Sequence, residues 1–493
     1  MDRPSRELHD KKAFKTGLEI WQPSAGSDSN ALLSPHQLCP NTISQIGLIA
    51  LAVGMISPAL GVYALWAPIQ ATTGPIAPLV FLAAMTVALP TAVSYAKLNS
   101  VAPSAAAAAT WLTNAGYPGA GCFIGLCMAT YFLIAVIVQP ILFGLFFSDL
   151  LRFLGISTLT SPHVLEGAAL VTVIAMMATY SGARASTRMS IALMTVEVVV
   201  VTALALTIVN VQARNIDGLN VAAFNPTSAT AGLHGFLNAL LLGILGFAGF
   251  DVVSAAAEET HTPKEAVPRA ILITVLAIGI FWALVSWSFT LSMPDEAVRQ
   301  YSRGGLTAVT PMAKLYWGHG NILVILTALA GCAAVYVPSA LGASRILFAL
   351  ARYGWLPSAL LRANQTGTVP LNAMHFVYAV AVAAVTISVT VFGNAIEAFV
   401  WWSNALVFFL AITFTGVNIA AYLFFGKRDS NRSVWSGRII PILGVMINVY
   451  VLICAFFGTL LQQPWKVGKS IVALCLLVSF CQILYSLRVV YRR

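Results

Sequence analysis

Long apolar segments recur along the chain and are its main structural signal. A bilayer core about 30 Å thick requires roughly 20 consecutive apolar residues in a helix. The sequence contains twelve segments of this kind, which predict twelve transmembrane helices and an all-α integral membrane protein. The predicted helix centres lie near Gly54, Val87, Tyr131, Ile174, Val199, Leu245, Gly279, Val335, Val382, Phe409, Val449 and Leu477.

Two of the twelve predicted helices contain residues that interrupt a helix. In the first, the run GMISPALG includes Pro58, which lacks an amide proton, between Gly54 and Gly61, which relax the backbone. In the sixth, the run GILGFAGFD begins at Gly243. Gly and Pro also occur in ordinary membrane helices, where neighbouring helices satisfy the freed backbone groups. Corresponding breaks five helices apart, however, predict unwound backbone that lines a binding site at the membrane midplane.

The spacing of the two breaks predicts the organisation of the chain. Residues 43–215 are predicted to form a first repeat of five helices and residues 230–426 a second, inverted repeat. Helices eleven and twelve, at 437–491, are predicted as additions, so the transporter domain spans 43–493. Residues 1–42 are polar and mixed in charge, which predicts a cytoplasmic tail rather than a signal peptide.

Composition and charge agree with a membrane protein. Hydrophobic residues make up 59% of the chain and charged residues 9%, against about 25% charged residues in soluble domains. Most of the 27 Lys and Arg residues fall on the inner side when both termini are placed in the cytoplasm, as the positive-inside rule requires. The net charge of +10 therefore reports topology and not a nucleic-acid partner. The prediction is a multi-pass protein of the plasma membrane, or of the inner membrane in a bacterium.

Sequence motifs in the second half resemble a known family. The run GFD at 249–251 is followed by EE at 258–259 and by VPRA from Val267. A second block, SRILFALARYGWLP, begins at Ser344 and is followed by VP at 369–370. Together they resemble the sixth-helix and eighth-helix motifs of the amino acid-polyamine-organocation (APC) superfamily. The resemblance covers roughly residues 42 to 490 and implies a LeuT-like fold and alternating access.

The chain departs from the family pattern at two places. The first helix has Ile-Ser-Pro-Ala-Leu-Gly at 56–61 where the family commonly has a glycine-rich turn. The entry to the third helix reads PSAAAAA at 103–109 in place of the P-x-x-G-G-x-Y pattern. The first departure concerns the segment that the resemblance implies for binding a substrate carboxylate.

Helix ends at the two breaks offer complementary charges to a substrate. The outer half of the first helix, which is predicted to start near Ala59, presents free amides and a partial positive charge that suit a carboxylate. Carbonyls near Phe247 and Ala248 can accept hydrogen bonds from an ammonium group. An amino acid zwitterion fits both ends. The predicted substrate-binding residues, which include nearby aromatic side chains, are Ile56, Ser57, Pro58, Ala59, Leu60, Gly61, Tyr131, Phe247, Ala248, Gly249, Phe250, Asp251, Tyr336 and Trp401.

Two acids within the apolar segments are candidates for proton coupling. Asp251 follows the second break, where it can cap the next helix turn, attract a cationic group or take up a proton. Glu197 lies about 13 Å from Arg188 along the fifth helix. It is predicted either as a protonated structural carboxyl or as a proton carrier whose change of charge affects the first helix. Glu258 and Glu259 are expected to anchor their loop near Lys264, Arg269 and Arg188 rather than to contact the substrate, with a gating ion pair as the alternative.

The predicted function is uptake of an amino acid by a proton-coupled secondary active transporter. A polyamine or other organic-amine permease and an amino acid/amine exchanger are the alternatives, and a channel or a membrane-embedded enzyme fits less well. Walker, H-E-x-x-H and G-x-S-x-G motifs are missing, and the seven cysteines have no C-x-x-C spacing, so neither an enzyme nor a metal or other cofactor is predicted. The oligomeric state is left open.

Overall fold

The fold is described here from a computed structural model of the chain. The structure describes residues 42–156, 161–214, 219, 221–230, 232–294, 296–299, 308–364, 369–426, 434–461 and 465–491. The predicted cytoplasmic tail lies outside these residues, apart from its last position. Within the described ranges the backbone is helical, with short turns and one isolated bridge between Ile43 and Thr260.

The α-helices of the described ranges are numbered here in chain order. They are α1 (Gln45–Ile56), α2 (Pro58–Thr73), α3 (Ala77–Val101), α4 (Ala108–Asn114), α5 (Pro118–Phe153), α6 (Ser161–Tyr180), α7 (Ala183–Gln212), α8 (Gly232–Gly246), α9 (Val252–Ala255), α10 (Pro263–Ser292), α11 (Val309–Trp317), α12 (Ile322–Arg352), α13 (Leu371–Phe392), α14 (Ala395–Gly426), α15 (Ile440–Leu461) and α16 (Trp465–Tyr491).

These helices confirm the predicted all-α membrane fold. Ten segments of the described chain are long and apolar enough to cross a membrane. One of them, Gln45–Val101, contains both the first predicted span, formed by α1 and α2, and the second, α3. The shorter apolar stretch Gly235–Gly246 belongs to the sixth span. Counting these spans separately gives the predicted twelve, while the boundaries of the two repeats stay predictions.

The first span breaks at Ser57, between α1 and α2. Ser57 has a φ of 56° and a ψ of 104°, so helical hydrogen bonding cannot continue through it. Pro58 opens α2, where its missing amide proton costs nothing because the first amides of a helix have no partner within it. The Ser57 hydroxyl accepts a hydrogen bond from the Leu60 amide at 3.1 Å and thereby caps the new helix.

The sixth span breaks after Gly246, where α8 ends. Residues 247–251 form turns, and α9 begins at Val252. Gly249 has a φ of +114°, a conformation that residues with a side chain rarely adopt, and a β-carbon there would overlap the Met55 side chain of α1. The two helix breaks therefore lie in direct contact with each other.

A second close approach holds α2 against α10. A β-carbon at Gly61 would overlap the Trp282 indole, whose Nε1 donates a hydrogen bond to the Pro58 carbonyl at 3.0 Å. Trp282 is fully buried, and the Phe247 ring lies 5.1 Å from it. One tryptophan thus packs against both broken spans, because glycine leaves room for it on the first.

Candidate substrate site

A cavity of about 160 Å³ lies between the two helix breaks. Its walls come from α1 and α2, from α5, from α8 with the turn that follows it, and from α12 and α14. This space is thus located where both predicted binding segments unwind. We refer to it as the central cavity.

Six of the predicted site residues line the central cavity. They come from the two breaks and from α5: Ile56, Leu60, Gly61, Tyr131, Ala248 and Gly249. The breaks were predictable because Gly and Pro mark them in the sequence. Tyr131 is in place because α5 presents one face to the cavity.

The other predicted residues lie beside the central cavity and do not line it. Phe247 and Phe250 face a smaller space of about 30 Å³ between α3, α8, α14 and α15. Tyr336 lies 3.2 Å from the Thr172 hydroxyl, on the side of α12 that contacts α6. Trp401 donates a hydrogen bond to Ser470 of α16 at 3.0 Å.

The central cavity also has lining residues that the sequence reasoning missed. On α5, Ala135, Val138, Gln139 and Leu142 follow Tyr131 at intervals that place them on one helical face. On α14 the lining residues are Phe399, Ser403 and Leu406, again at helical intervals. On α12, Val335 lines the space in place of its neighbour Tyr336. The spacing from Tyr131 was the available signal for α5, but it does not say which face is turned inward.

The lining of the central cavity is almost entirely apolar. Its polar side chains are Tyr131, Gln139 and Ser403, and none of its described lining residues carries a formal charge. The Gln139 Oε1 atom is buried and has no hydrogen-bond partner in the ranges that the structure describes. A ligand in this space meets a hydrophobic surface with a few fixed polar groups, as is usual for small-molecule sites.

Asp251 lies behind Tyr131, one side chain away from the central cavity. Its carboxylate is fully buried and accepts hydrogen bonds from the Tyr131 hydroxyl and, at 3.3 Å, from the Tyr95 hydroxyl. Its Oδ1 atom has no hydrogen-bond partner among the described residues. The side chain makes no capping bond to α9, so capping does not account for it. Tyr131 instead connects the acid to the cavity wall.

Glu197 lies on α7 at the other side of the first break, and it too is fully buried. Its Oε2 atom accepts hydrogen bonds from the Ser57 hydroxyl at 2.5 Å and from the Ala59 amide at 3.0 Å. Ser57 and Ala59 therefore contact α7, the Pro58 carbonyl binds Trp282 of α10, and none of the three residues lines the central cavity. An acid 138 residues away in sequence holds the helix end at which a substrate carboxylate was expected.

Glu258 and Glu259 form ion pairs with α12 beyond the second break. Both oxygens of Glu259 bind the Arg345 guanidinium, with a distance of 2.9 Å from Nη2 to Oε2, and the two side chains are only 1% and 3% exposed. Glu258 pairs with Arg352 at 2.5 Å. The expectation that Lys264 and Arg269 would be the neighbours is wrong, since Arg269 lies 3.7 Å from Glu265 instead. The packing of α12 against this turn brings Arg345 and Arg352 to the two acids, whereas Arg269 of α10 lies beside Glu265.

Glu258 and Glu259 also accept hydrogen bonds from backbone amides of two other segments of the chain. The Glu259 carbonyl accepts hydrogen bonds from the amides of Thr42 and Ile43, just before α1, at 2.8 and 3.0 Å. The Glu258 carboxylate accepts one from the Ala105 amide at 3.2 Å. At this end of the bundle a network of bonds joins the segment before α1, the turn after α9, α12 and the segment before α4.

Twelve spans, two of them broken around a central cavity, define a membrane transporter. The sequence model of the amino acid permease family matches residues 43–481, and the chain belongs to that family. The suspected membership of the APC superfamily is thereby confirmed. The protein is a multi-pass membrane permease.

Individual relatives are similar to the chain at low sequence identity. The chain is 25% identical to the branched-chain amino acid permease BcaP of Bacillus subtilis over 72% of its own length and 77% of that protein. It is 27% identical to the aromatic amino acid permease FywP of Lactococcus lactis over 52% of its length and 54% of that protein. Amino acid permeases of known specificity thus align with it at low identity.

Solved structures share the fold. A crystal structure of a manganese transporter variant from Eremococcus coleocola superimposes with a TM-score of 0.58 at 12% sequence identity, covering 91% of this chain and 94% of that one. At this identity the likeness concerns the architecture alone. It agrees with the broken-helix arrangement around the central cavity.

Proposed function

We propose that the chain takes up an amino acid with an apolar side chain, by alternating access and in symport with protons. The observation that carries the proposal is the apolar central cavity between two contacting helix breaks, with one buried acid on each side of it. The alignment with permeases named for branched-chain and aromatic amino acids supports the same substrate class.

The size and lining of the central cavity support an apolar side chain. A cavity of about 150 Å³ lined by apolar side chains binds benzene in a well-studied engineered protein, so about 160 Å³ suits a branched aliphatic or single-ring side chain. A charged side chain would lose its hydration without gaining a counter-charge from the described lining residues. Acidic and dibasic amino acids are therefore poor fits.

Tyr131 and Asp251 supply the polar recognition at one side. An ammonium group at the cavity wall would donate a hydrogen bond to the Tyr131 hydroxyl and would be attracted by the Asp251 carboxylate behind it. A buried carboxylate without a cation is unfavourable, and none of the described basic side chains forms an ion pair with Asp251. The substrate ammonium would provide that charge.

Glu197 is the proposed proton carrier, with Asp251 as the second candidate. Buried acids within membrane spans are costly when ionised and commonly take part in proton movement. Glu197 touches the first break through Ser57 and Ala59, so a change in its charge would be felt at the helix that borders the central cavity.

Alternating access is supported by the network that Glu258 and Glu259 form at one end of the bundle. Opening there would require separation of Glu259 from Arg345 and release of Thr42 and Ile43 from the Glu259 carbonyl. The distribution of Lys and Arg favours a cytoplasmic position for this end, with both termini on the same side and the protein in the plasma membrane. The network would then be the inner gate.

An organic-amine permease is the second candidate, and one observation favours it. The amides of Ala59, Leu60 and Gly61 all donate within the chain, to Glu197, to the Ser57 hydroxyl and to the Ser57 carbonyl. No amide at this end of α2 is left for a substrate carboxylate in this arrangement. A cationic amine with an apolar body would not need one.

Uptake into proteoliposomes distinguishes these functions. Purified protein would be tested with labelled leucine, phenylalanine, lysine, glutamate, isoamylamine and putrescine, with and without an inside-alkaline pH gradient. We expect saturable uptake of leucine or phenylalanine that the gradient accelerates. Uptake of isoamylamine but of no amino acid would favour the amine permease. Uptake that requires substrate loaded inside the vesicles would make the protein an exchanger, and unsaturable conductance would make it a channel.

A further inference from the structure

We propose that Glu197 competes with the substrate carboxylate for the N-terminus of α2, so that an amino acid binds there only when Glu197 is protonated. The inference rests on the proposed function and deepens it, because it states how proton uptake and substrate binding would depend on each other.

The backbone amides at the N-terminus of α2 form hydrogen bonds with two different parts of the chain. The amides of Leu60 and Gly61 donate to the hydroxyl and carbonyl of Ser57, which belong to the same turn. The Ala59 amide instead donates to Glu197, which comes from α7. The Ser57 hydroxyl donates to the same carboxylate oxygen. Glu197 is therefore bound as an anion binds at a helix N-terminus.

The N-terminus of α2 also borders the central cavity. Ile56, Leu60 and Gly61 line the cavity, and Ala59 lies between them in sequence. A helix end carries a partial positive charge of only about +0.5. Two carboxylates within one turn of it would repel each other and would share that single partial charge. The substrate carboxylate and ionised Glu197 therefore exclude each other electrostatically, even where they touch different atoms.

Other charges around Glu197 do not relieve its repulsion of the substrate carboxylate. The titratable groups that interact with it are Tyr63 of α2 and Cys332 of α12, and α1 contains no titratable side chain. Within the described part of the chain, the Glu197 Oε1 atom has no hydrogen-bond partner. Other helices that pack against α7 also carry charged side chains, and each of those described is exposed or paired with an acid. They are Glu166 of α6, Lys264, Glu265 and Arg269 of α10, Lys314 of α11, and Arg345 and Arg352 of α12.

Protonation changes what Glu197 does at the helix end. A neutral carboxyl is a weaker acceptor for the Ala59 amide and adds no negative charge, so the end of α2 becomes available to a substrate carboxylate. Because binding linkage is reciprocal, a bound carboxylate favours protonation of Glu197 to the same extent. Substrate and proton would therefore load together.

Two matched ligands test the proposal. L-leucine carries a carboxylate, whereas isoamylamine has the same branched body and ammonium without it. Their affinities for the purified full-length protein would be measured by calorimetry between pH 5.5 and pH 8.5. We expect leucine affinity to fall by about tenfold or more as pH rises, within the usual range of coupling between two sites, and isoamylamine affinity to stay level.

Variants assign this pH dependence to Glu197. In Glu197→Gln, leucine should bind equally well across the range and more tightly than to wild type at pH 8.5. Glu166→Gln, at an exposed acid of α6, is the control and should keep the wild-type profile. Ser57→Ala removes a donor to ionised Glu197, so the loss of leucine affinity should move to higher pH. This second variant keeps the proposal testable if Glu197→Gln does not fold.

The outcomes separate this inference from the proposed function. The inference is overturned if isoamylamine shows the same pH dependence as leucine, or if Glu197→Gln retains the wild-type slope, while proton-driven leucine uptake would still support the transport activity. Binding of isoamylamine without leucine binding at any pH would overturn both and leave the amine permease.

Discussion

Gly249 in the second helix break lies so close to Met55 in the first that a β-carbon on Gly249 would overlap the Met55 side chain. The two segments that unwind are thus packed against each other, and the central cavity opens beside their contact. A movement of one break must therefore be accommodated by the other.

Gly249→Ala should impair both folding and transport. The substitution adds the clash with Met55 to a φ of +114°, and an unfavourable backbone conformation alone costs about 1–3 kcal/mol. Gly393→Ala is the matched control, because Gly393 also has a positive φ but open space around its Cα. We expect a clearly lower thermal unfolding temperature for Gly249→Ala than for Gly393→Ala. Equal temperatures would mean that the contact between the breaks is loose.

Asp251→Asn and Tyr131→Phe should reduce leucine uptake while the protein stays folded. Asn keeps the size of the side chain and loses its charge, and Phe removes the hydroxyl that connects the acid to the cavity. Hydrogen bonds to charged groups contribute about 1.5–3 kcal/mol, so a loss of roughly 10- to 100-fold in apparent affinity is expected. Tyr95→Phe, which removes the longer bond of 3.3 Å, should have a smaller effect. Wild-type uptake by Asp251→Asn would remove Asp251 from the site.

Glu197→Gln should flatten the pH dependence of net leucine uptake. In wild type a more acidic outer solution protonates Glu197 and favours loading, so uptake should rise as external pH falls. Gln cannot change its protonation, and the variant should also lose acceleration by a pH gradient. Initial rates between pH 5.5 and pH 8.5 in proteoliposomes provide the measurement. An unchanged profile would exclude Glu197 as the proton site and leave Asp251 as the candidate.

The buried pair of Arg345 and Glu259 should matter far more for stability than the outer pair of Arg352 and Glu258. Arg345→Met leaves a carboxylate that is 1% exposed without its partner, which typically costs about 3–5 kcal/mol. Arg352→Met affects a pair that is 28% and 14% exposed, and pairs near the surface contribute about 0–1 kcal/mol.

A double variant tests whether that loss comes from the unpaired charge. Replacing both Arg345 and Glu259 with Met should restore most of the unfolding temperature that Arg345→Met loses, because replacing a whole buried pair is often neutral. Its uptake should nevertheless change, since the proposed inner gate would lack its ion pair. A double variant as unstable as Arg345→Met would point to lost packing instead.

Ala135→Leu should shift substrate preference towards smaller side chains. Ala135 is buried in the wall of the central cavity, one turn beyond Tyr131, so a larger side chain there fills space that the substrate would use. Competition assays against labelled leucine should show phenylalanine weakened more than alanine. An unchanged ratio would place the substrate side chain elsewhere.

The sequence by itself determined the class of fold and the location of the breaks. Apolar runs long enough to cross a bilayer form membrane helices, and the clusters of Gly and Pro at 54–61 and of Gly at 243–249 mark the two places where a helix is interrupted. These are local properties of the chain, and they survive in any tertiary arrangement. The sequence motifs added the superfamily, which the amino acid permease match confirms.

Only the tertiary structure decided which side chains meet. Val335 and Tyr336 are neighbours in sequence, yet one lines the central cavity and the other packs towards α6, because consecutive residues of a helix point in different directions. Glu197 was a candidate because it is an isolated acid within an apolar segment, but its contact with Ser57 joins positions 140 residues apart. Such pairings depend on the rotation and packing of whole helices, which hydrophobicity does not specify when a helix is apolar on every face.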